Sequence, residues 1–306
     1  TVNAVIDMPV LANSRTVVQE NNGSSLISDP DLIVPIGTRL GITMDDEDGS
    51  QSLDITLTGF PTNAQAMGFG TSLPGVTTSV DIATGTVTIS GTNGNDVLTV
   101  LASLSITLAD DDDRDFTVTI NGTVTDTNGV TIVSAPFTLS HDVIVQSVAD
   151  NPTISRGAAT KPAVDEDSGF VGYPVTVQLN DTDGSETFQS VRIDATTVGT
   201  GARPVMQFTA PGGATIDTTT NGTFTVGGVT FAISNLGAAG KRVSITGGTT
   251  ADIEAVVASL QIRPGTDNGE DIAVTIVATS VESNPSELNN NGPGVVGDQI
   301  AVPTAS

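Results

Sequence analysis

The sequence predicts an all-β protein made of two tandem β-sandwich domains. Three observations carry that expectation. Five matched segments recur in the same order in the two halves of the 306-residue chain. Runs such as ITLTGF, TVTIS, FTVTINGTV, FTLSHDVIVQ, FTVGGVTFAIS and IAVTIVATS alternate β-branched with small or polar residues, which is the period of a pleated strand. Asp-Gly, Asn-Gly and Gly-Gly pairs interrupt those runs at turn spacing.

The duplication is read segment by segment. IDMP (6–9) faces ADNP (149–152), and MDDEDGSQSL (44–53) faces LNDTDGSETF (179–188). DVLTVLASLSI (96–106) faces DIEAVVASLQI (252–262), and without a gap RDFTVTINGTVTD (114–126) faces EDIAVTIVATSVE (270–282). DVIVQ (142–146) then stands against DQIAV (298–302). The chain therefore divides near Val148, into domains 1–148 and 149–306, the second carrying an insertion near 199–248. In the first copy, strand A runs to about Glu20, strand B covers Pro35–Met44, strand F Phe116–Thr125 and strand G Pro136–Val145. NDVLTVLA and ADIEAVVA place apolar residues at helical spacing just before a strand, so one or two helical turns are expected there. GTNGND (91–96) is read as a turn.

Composition narrows the function. Asp and Glu total 35 against 10 Lys and Arg, a formal charge of −25, which excludes a basic nucleic-acid surface and argues against anionic lipid. No apolar run is long enough to insert in a membrane. Asp outnumbers Glu by 27 to 8, a bias toward turns or toward ligands for hard cations. With no Cys there is neither a disulfide nor a thiolate zinc site. The single His, His141, is expected to be an ordinary polar residue of strand G. No acid–base constellation stands out, and the chain is not expected to be an enzyme.

Strand directions give the acidic loops a polarity. Asp7, Asp46, Asp48 and Asp126 fall at the N-terminal pole of the first copy. ADDDDRD (109–115) falls at its C-terminal pole with Glu20. The same reasoning places Asp181, Asp183 and Glu282 at the N-terminal pole of the second copy, beside the linker SVADNP (147–152). The expected metal ligands are thus Glu20, Asp113, Asp115, Asp150, Asn151, Asp181, Asp183 and Glu282, with Asp46, Asp48 and Asp126 forming a weaker outer set. Glu166, Asp267, Glu270 and Asp271 form a comparable group at the far end. Carboxylate, amide and carbonyl oxygens at alternating positions suit Ca²⁺. The competing reading is that the Asp-Gly pairs are turns and the charge serves solubility.

The linker ADNP resembles the DNxP end of a cadherin interdomain linker. DEDG (46–49) and DTDG (181–184) resemble the cadherin loop between strands B and C, Asp113–Arg114–Asp115 its DRE, and VTDTNG (124–129) its F–G loop. In the second copy NGED (268–271) replaces the DRE equivalent. Together with VVASLQIRP (256–264) and VTIVATSVE (274–282), LNDTDGSET (179–187) is most similar to the tandem cadherin-like domains of giant bacterial repeats-in-toxin adhesins. That resemblance implies Ig/cadherin-like sandwiches in an extracellular stalk at the bacterial cell surface. Ca²⁺ would stiffen it, neighbouring tandem domains of the same chain would be its partners, and it would hold ligand-binding modules away from the cell. Two other readings remain. The insertion, with Arg203, Lys241 and Arg242, would meet an acidic cell-surface or matrix ligand, or the chain would be a surface-layer or filament subunit.

Overall fold

The computed structural model describes residues 6–20, 33–45, 49–128, 131–146, 149–157, 165–180, 184–282 and 304–305. The described residues up to Gln146 form one compact unit and those from Ala149 form another. The first contains β1 (Val10–Leu11), β2 (Arg15–Gln19), helix α1 (Ile36–Leu40), β3 (Ile42–Thr43), β4 (Gln51–Thr58), β5 (Ala66–Phe69), β6 (Val76–Asp81), β7 (Thr86–Gly91), helix α2 (Gly94–Leu101), β8 (Leu104–Thr107), β9 (Phe116–Asn128) and β10 (Thr131–Gln146). The second contains β11 (Thr153–Arg156), β12 (Val171–Gly172), β13 (Val175–Gln178), β14 (Glu186–Thr197), β15 (Val205–Thr209), β16 (Thr215–Asp217), β17 (Gly222–Val226), β18 (Val229–Leu236), β19 (Gly240–Gly247), helix α3 (Thr250–Ala258), β20 (Gln261–Arg263), β21 (Ile272–Glu282) and β22 (Thr304–Ala305). The protein is all-β. Among the described residues no helix is long and apolar enough to cross a membrane.

In the first unit a six-stranded sheet has the order β2-β10-β9-β4-β7-β6. Its neighbours are antiparallel except β2 and β10, which run parallel from Arg15 opposite Asp142 to Gln19 opposite Gln146. The pleat sends Leu53, Ile55 and Leu57 of β4 inward with Ile89, Val118 and Ile120. Facing them are Val34, Ile36, Leu40, Val97, Leu101, Leu104 and Ile106, from the two helices, β8 and its neighbouring segment. The second unit repeats the plan with a sheet ordered β17-β18-β19-β14-β21-β22. Val191, Ile193, Phe231 and Val243 from that sheet meet Met206, Phe208, Val256, Val257 and Ile262. The Phe208 and Phe231 rings pack tilted, with centroids 6.0 Å apart. The insertion contributes β16 and the outer strand β17, for which the first unit has no counterpart.

Helices form at both expected places, with local caps. The Asn93 side chain accepts hydrogen bonds from the backbone of Asn95 and Asp96 at the start of α2, so GTNGND is the N-cap of a helix rather than a free turn. At the equivalent point of α3, Thr249 and Asp252 form a reciprocal capping box. The expected strand B over Pro35–Met44 is a correction. It is the one-turn helix α1 followed by the two-residue β3. Ile36 and Leu40, four residues apart, are both fully buried, and Gly41 ends the helix in the left-handed conformation. Gly37 sits so close to α2 that a Cβ atom there would lie 1.9 Å from the Leu101 carbonyl oxygen. An extended strand would not bring these backbones together.

That close approach gives a test. Gly37→Ala forces α1 off α2 and should lower stability by about 1–3 kcal/mol, the usual cost of overpacking. Denaturant unfolding measures it; a midpoint matching the parent would place α1 elsewhere.

Candidate functional site

At one end of the first unit, the entering chain, the start of β4 and the far part of β9 meet. The Asp7 backbone N–H donates to Gln51 Oε1 at 3.2 Å, and Gln51 Nε2 donates to Asp7 Oδ2 at 2.8 Å. Gln51 stands opposite Asp126 in the β4–β9 ladder, and Ser50 Oγ donates to Asp126 Oδ1 at 3.0 Å. Gln51 and Asp126 are both buried. The amide of Gln51 is what lets Asp7 be held here without added charge, because it supplies an acceptor and a donor at once.

The second unit builds the same end from the matched positions, with two changes. Asp150 takes the place of Asp7, Glu186 that of Gln51, and Glu282 that of Asp126. The Asp150 N–H donates to Glu186 Oε1, as Asp7 does to Gln51. Glu186 stands opposite Glu282 in the β14–β21 ladder. Ser280 Oγ donates to the Asp150 carbonyl at 2.7 Å. Asn180 joins in, donating to the Asn151 carbonyl at 2.6 Å and accepting from Thr153 Oγ1 at 2.9 Å. Asp150 and Glu186 are buried. An ionised Glu186 has no proton to return to Asp150, so this end carries one more carboxylate than the first unit's. Glu186 was not among the expected ligands; its alignment with Gln51 was the signal available.

The opposite end of the first unit holds the acidic loop before β9. Glu20 follows β2, is 3% exposed, and donates its N–H to the Gln146 carbonyl at 3.0 Å. Asp115 Oδ1 accepts from the Val145 N–H at 2.7 Å, so Glu20 and Asp115 lie at the same end of β10. Asp111, Asp112 and Asp113 are buried. Asp112 organises the loop. Its carboxylate takes a two-pronged contact from Arg114, Nε to Oδ1 at 2.6 Å and Nη2 to Oδ2 at 2.8 Å, and a third bond from Asn63 Nδ2 at 2.6 Å. Burial opposes ionisation of Asp112, but the hydrogen bonds from Arg114 and Asn63 outweigh it and hold the carboxyl below its ordinary range. Asn268 occupies the equivalent position in the second unit. It bonds Thr197 Oγ1 and the Ala202 carbonyl, each at 3.1 Å, and accepts from the Glu270 N–H. Asp111 and the matched Asp267 both adopt φ 53°. An uncharged side chain thus does the work of Asp112, which separates that residue from Asp113 and Asp115 as ligand candidates.

The donor types present are those of a hard cation, oxygen from carboxylates, amides and carbonyls. Among the described residues no three acidic or imidazole side chains come together as a metal-binding group. Asp46, Asp48, Asp181 and Asp183 lie outside the described residues, as does the Glu282 side chain. His141 is fully buried, with Nδ1 2.8 Å from the Asn13 carbonyl and Nε2 2.9 Å from Thr16 Oγ1, so it ties β10 to the chain around β2. In the alternative reading of the insertion as a basic surface, two of its three cations are already engaged. Lys241 is buried, and Arg242 forms a two-pronged pair with Asp194 at 2.7 and 2.8 Å.

No protein-family model matches the chain, and no curated protein matches it. Among solved structures, one described as BspA_C_mut is 7% identical, covers 76% of this chain and 79% of its own, and has a TM-score of 0.17. The C-terminal domain of the Streptococcus pyogenes antigen I/II-family protein AspA is 9% identical, covers 75% of this chain and 80% of its own, and has a TM-score of 0.19. Likeness at this level assigns neither a family nor a function.

Two substitutions test the two ends. Gln51→Glu removes the donor to Asp7 and sets a carboxylate opposite Asp126; at pH 7 it should cost about 1–3 kcal/mol. Melting curves at pH 7 decide, and equal stability would contradict the role given to Gln51. Asp112→Asn should keep the loop, as Asn268 does. The folded Asp112 carboxyl titrates below its ordinary value, so its contribution is complete above that value and lost as pH falls through the folded one. The variant should be less stable at neutral pH by about 1 kcal/mol or less, since Arg114 is exposed, and should match the parent in acid.

Proposed function

We propose that the chain is a calcium-stiffened extender segment of a large bacterial surface adhesin, related to the cadherin-like stalks of repeats-in-toxin adhesins. The observation that carries this reading is the Glu186–Glu282 pair beside Asp150, where the first unit has Gln51 opposite Asp126. Like charges directly opposite in a ladder are destabilising, and burial of carboxylates raises that cost. A bound cation relieves both. Ca²⁺ suits the set, because the ligands on offer are oxygens and neither thiol nor accessible imidazole competes.

In this proposal Asp150, Asn151, Asp181, Asp183, Glu186 and Glu282 serve the second unit's N-terminal end. Glu20, Asp113 and Asp115 serve the first unit's C-terminal end. Asp46, Asp48 and Asp126 form the weaker outer set, because Gln51 already satisfies Asp7 there. The chain performs no catalysis in this reading. It works outside the cell, spacing adhesive modules from the surface, and its partners are further domains of the same polypeptide.

Removal of Ca²⁺ should lower the melting temperature and increase the spread of dimensions in solution, because the ion binds the folded state in preference to the unfolded chain. Calorimetry and small-angle scattering in millimolar Ca²⁺ and in chelator measure this. Glu186→Gln should shrink the calcium-dependent shift while leaving the fold intact. Superimposable curves with and without Ca²⁺ would sink the proposal.

A further inference from the structure

Lys241 lies in β19 with 7% of its surface exposed. A buried ammonium ordinarily faces a carboxylate. Here its Nζ lies 2.9 Å from Oδ1 of a neutral side-chain amide, that of Asn221. Among the described residues that is the hydrogen bond the Lys241 side chain makes, and it forms no ion pair. Burial holds its ammonium below the ordinary range, the nearby Arg203 guanidinium pushes the same way, and Asp217 opposes them. Removal from water and a cationic neighbour are the conditions that turn a lysine into an amine nucleophile. Asp217 is kept ionised by hydrogen bonds from the Thr219 side chain and backbone, and its negative charge acts on the Lys241 ammonium.

We propose that Lys241 and Asn221 join in an intramolecular amide cross-link. Neutral Nζ attacks Cγ of Asn221 and a C–N bond forms. The bond from Cγ to Nδ2 then breaks. One Nζ proton passes to the departing nitrogen, which leaves as ammonia. The product is a secondary amide between Nζ and Cγ, and the reaction needs no oxidant, reductant or cofactor.

The topology gives the link a purpose. Asn221 immediately precedes β17, the outermost strand of its sheet, while Lys241 lies two strands in, with β18 between them. The bond would close residues 221–241 into a ring and fasten the edge strand across its neighbour. An exposed edge strand is where a sheet opens first. This inference stands on the insertion and is independent of calcium binding. One reaction competes for the same carbon. Gly222 follows Asn221, and attack by its backbone nitrogen would also expel ammonia, giving a succinimide.

The test is the intact mass of the full chain, folded and incubated, with a digest of the same sample. The mass should fall below the sequence mass by one ammonia, and the digest should yield a branched peptide joining residue 221 to residue 241. Lys241→Arg and Asn221→Ala should each keep their full mass. A parent of unchanged mass overturns the proposal. So does an ammonia loss that persists in Lys241→Arg, which would assign it to the succinimide. If Lys241→Arg fails to fold, the branched peptide of the parent decides alone.

Discussion

Strand alternation governs both units, because every residue placed inward on a pleat fixes what its neighbours must do. Leu53, Ile55 and Leu57 take the inner face of β4, and β9 is registered against them along its length. Once that register is set, the ends of the strands and the loops beyond them have no freedom to choose partners. Gln51 must stand opposite Asp126, and in the second unit Glu186 must stand opposite Glu282. The polar chemistry of each end is therefore a consequence of how the core is phased. A shift of one residue would bury the threonines and dissolve both ends together.

Duplication turns the chain into its own control. Where the copies agree, the role is architectural: Asn93 and Thr249 cap the matched helices, and Asp112 and Asn268 brace the matched loops with or without charge. Where they differ, chemistry has been altered on a common frame. The exchange of an amide for a carboxylate between Gln51 and Glu186 is the sharpest such difference, since it changes a donor–acceptor group into one that only accepts.

Much of this was legible beforehand. The all-β class, both short helices and the strands around Phe116 and Pro136 follow from local patterns that the packing did not overrule. The Pro35–Met44 segment was misread because Ile36, Thr38 and Leu40 satisfy a period of two as well as a spacing of four. What decided between them was the approach of Gly37 to a backbone distant in sequence. Glu186 was visible in the alignment, but its weight depends on which residue faces it across a ladder, which no single segment states. That Asp112 braces its loop likewise shows only in its hydrogen bonds. Lys241 and Asn221 come together only because of the order of β17, β18 and β19.

The parallel pairing of β2 with β10 has a mechanical meaning. These strands lie near the beginning and the end of the first unit and run side by side through five registered positions. Tension applied to the two ends of that unit pulls β2 and β10 in opposite senses along their common axis. The bonds between them are then loaded together, as in a lap joint, and no single bond can give way at the margin to start the rest. Two antiparallel terminal strands leaving from one end would instead peel, each bond failing in turn at low force. The first unit is thus connected so that a steady pull along the chain meets its whole terminal register at once.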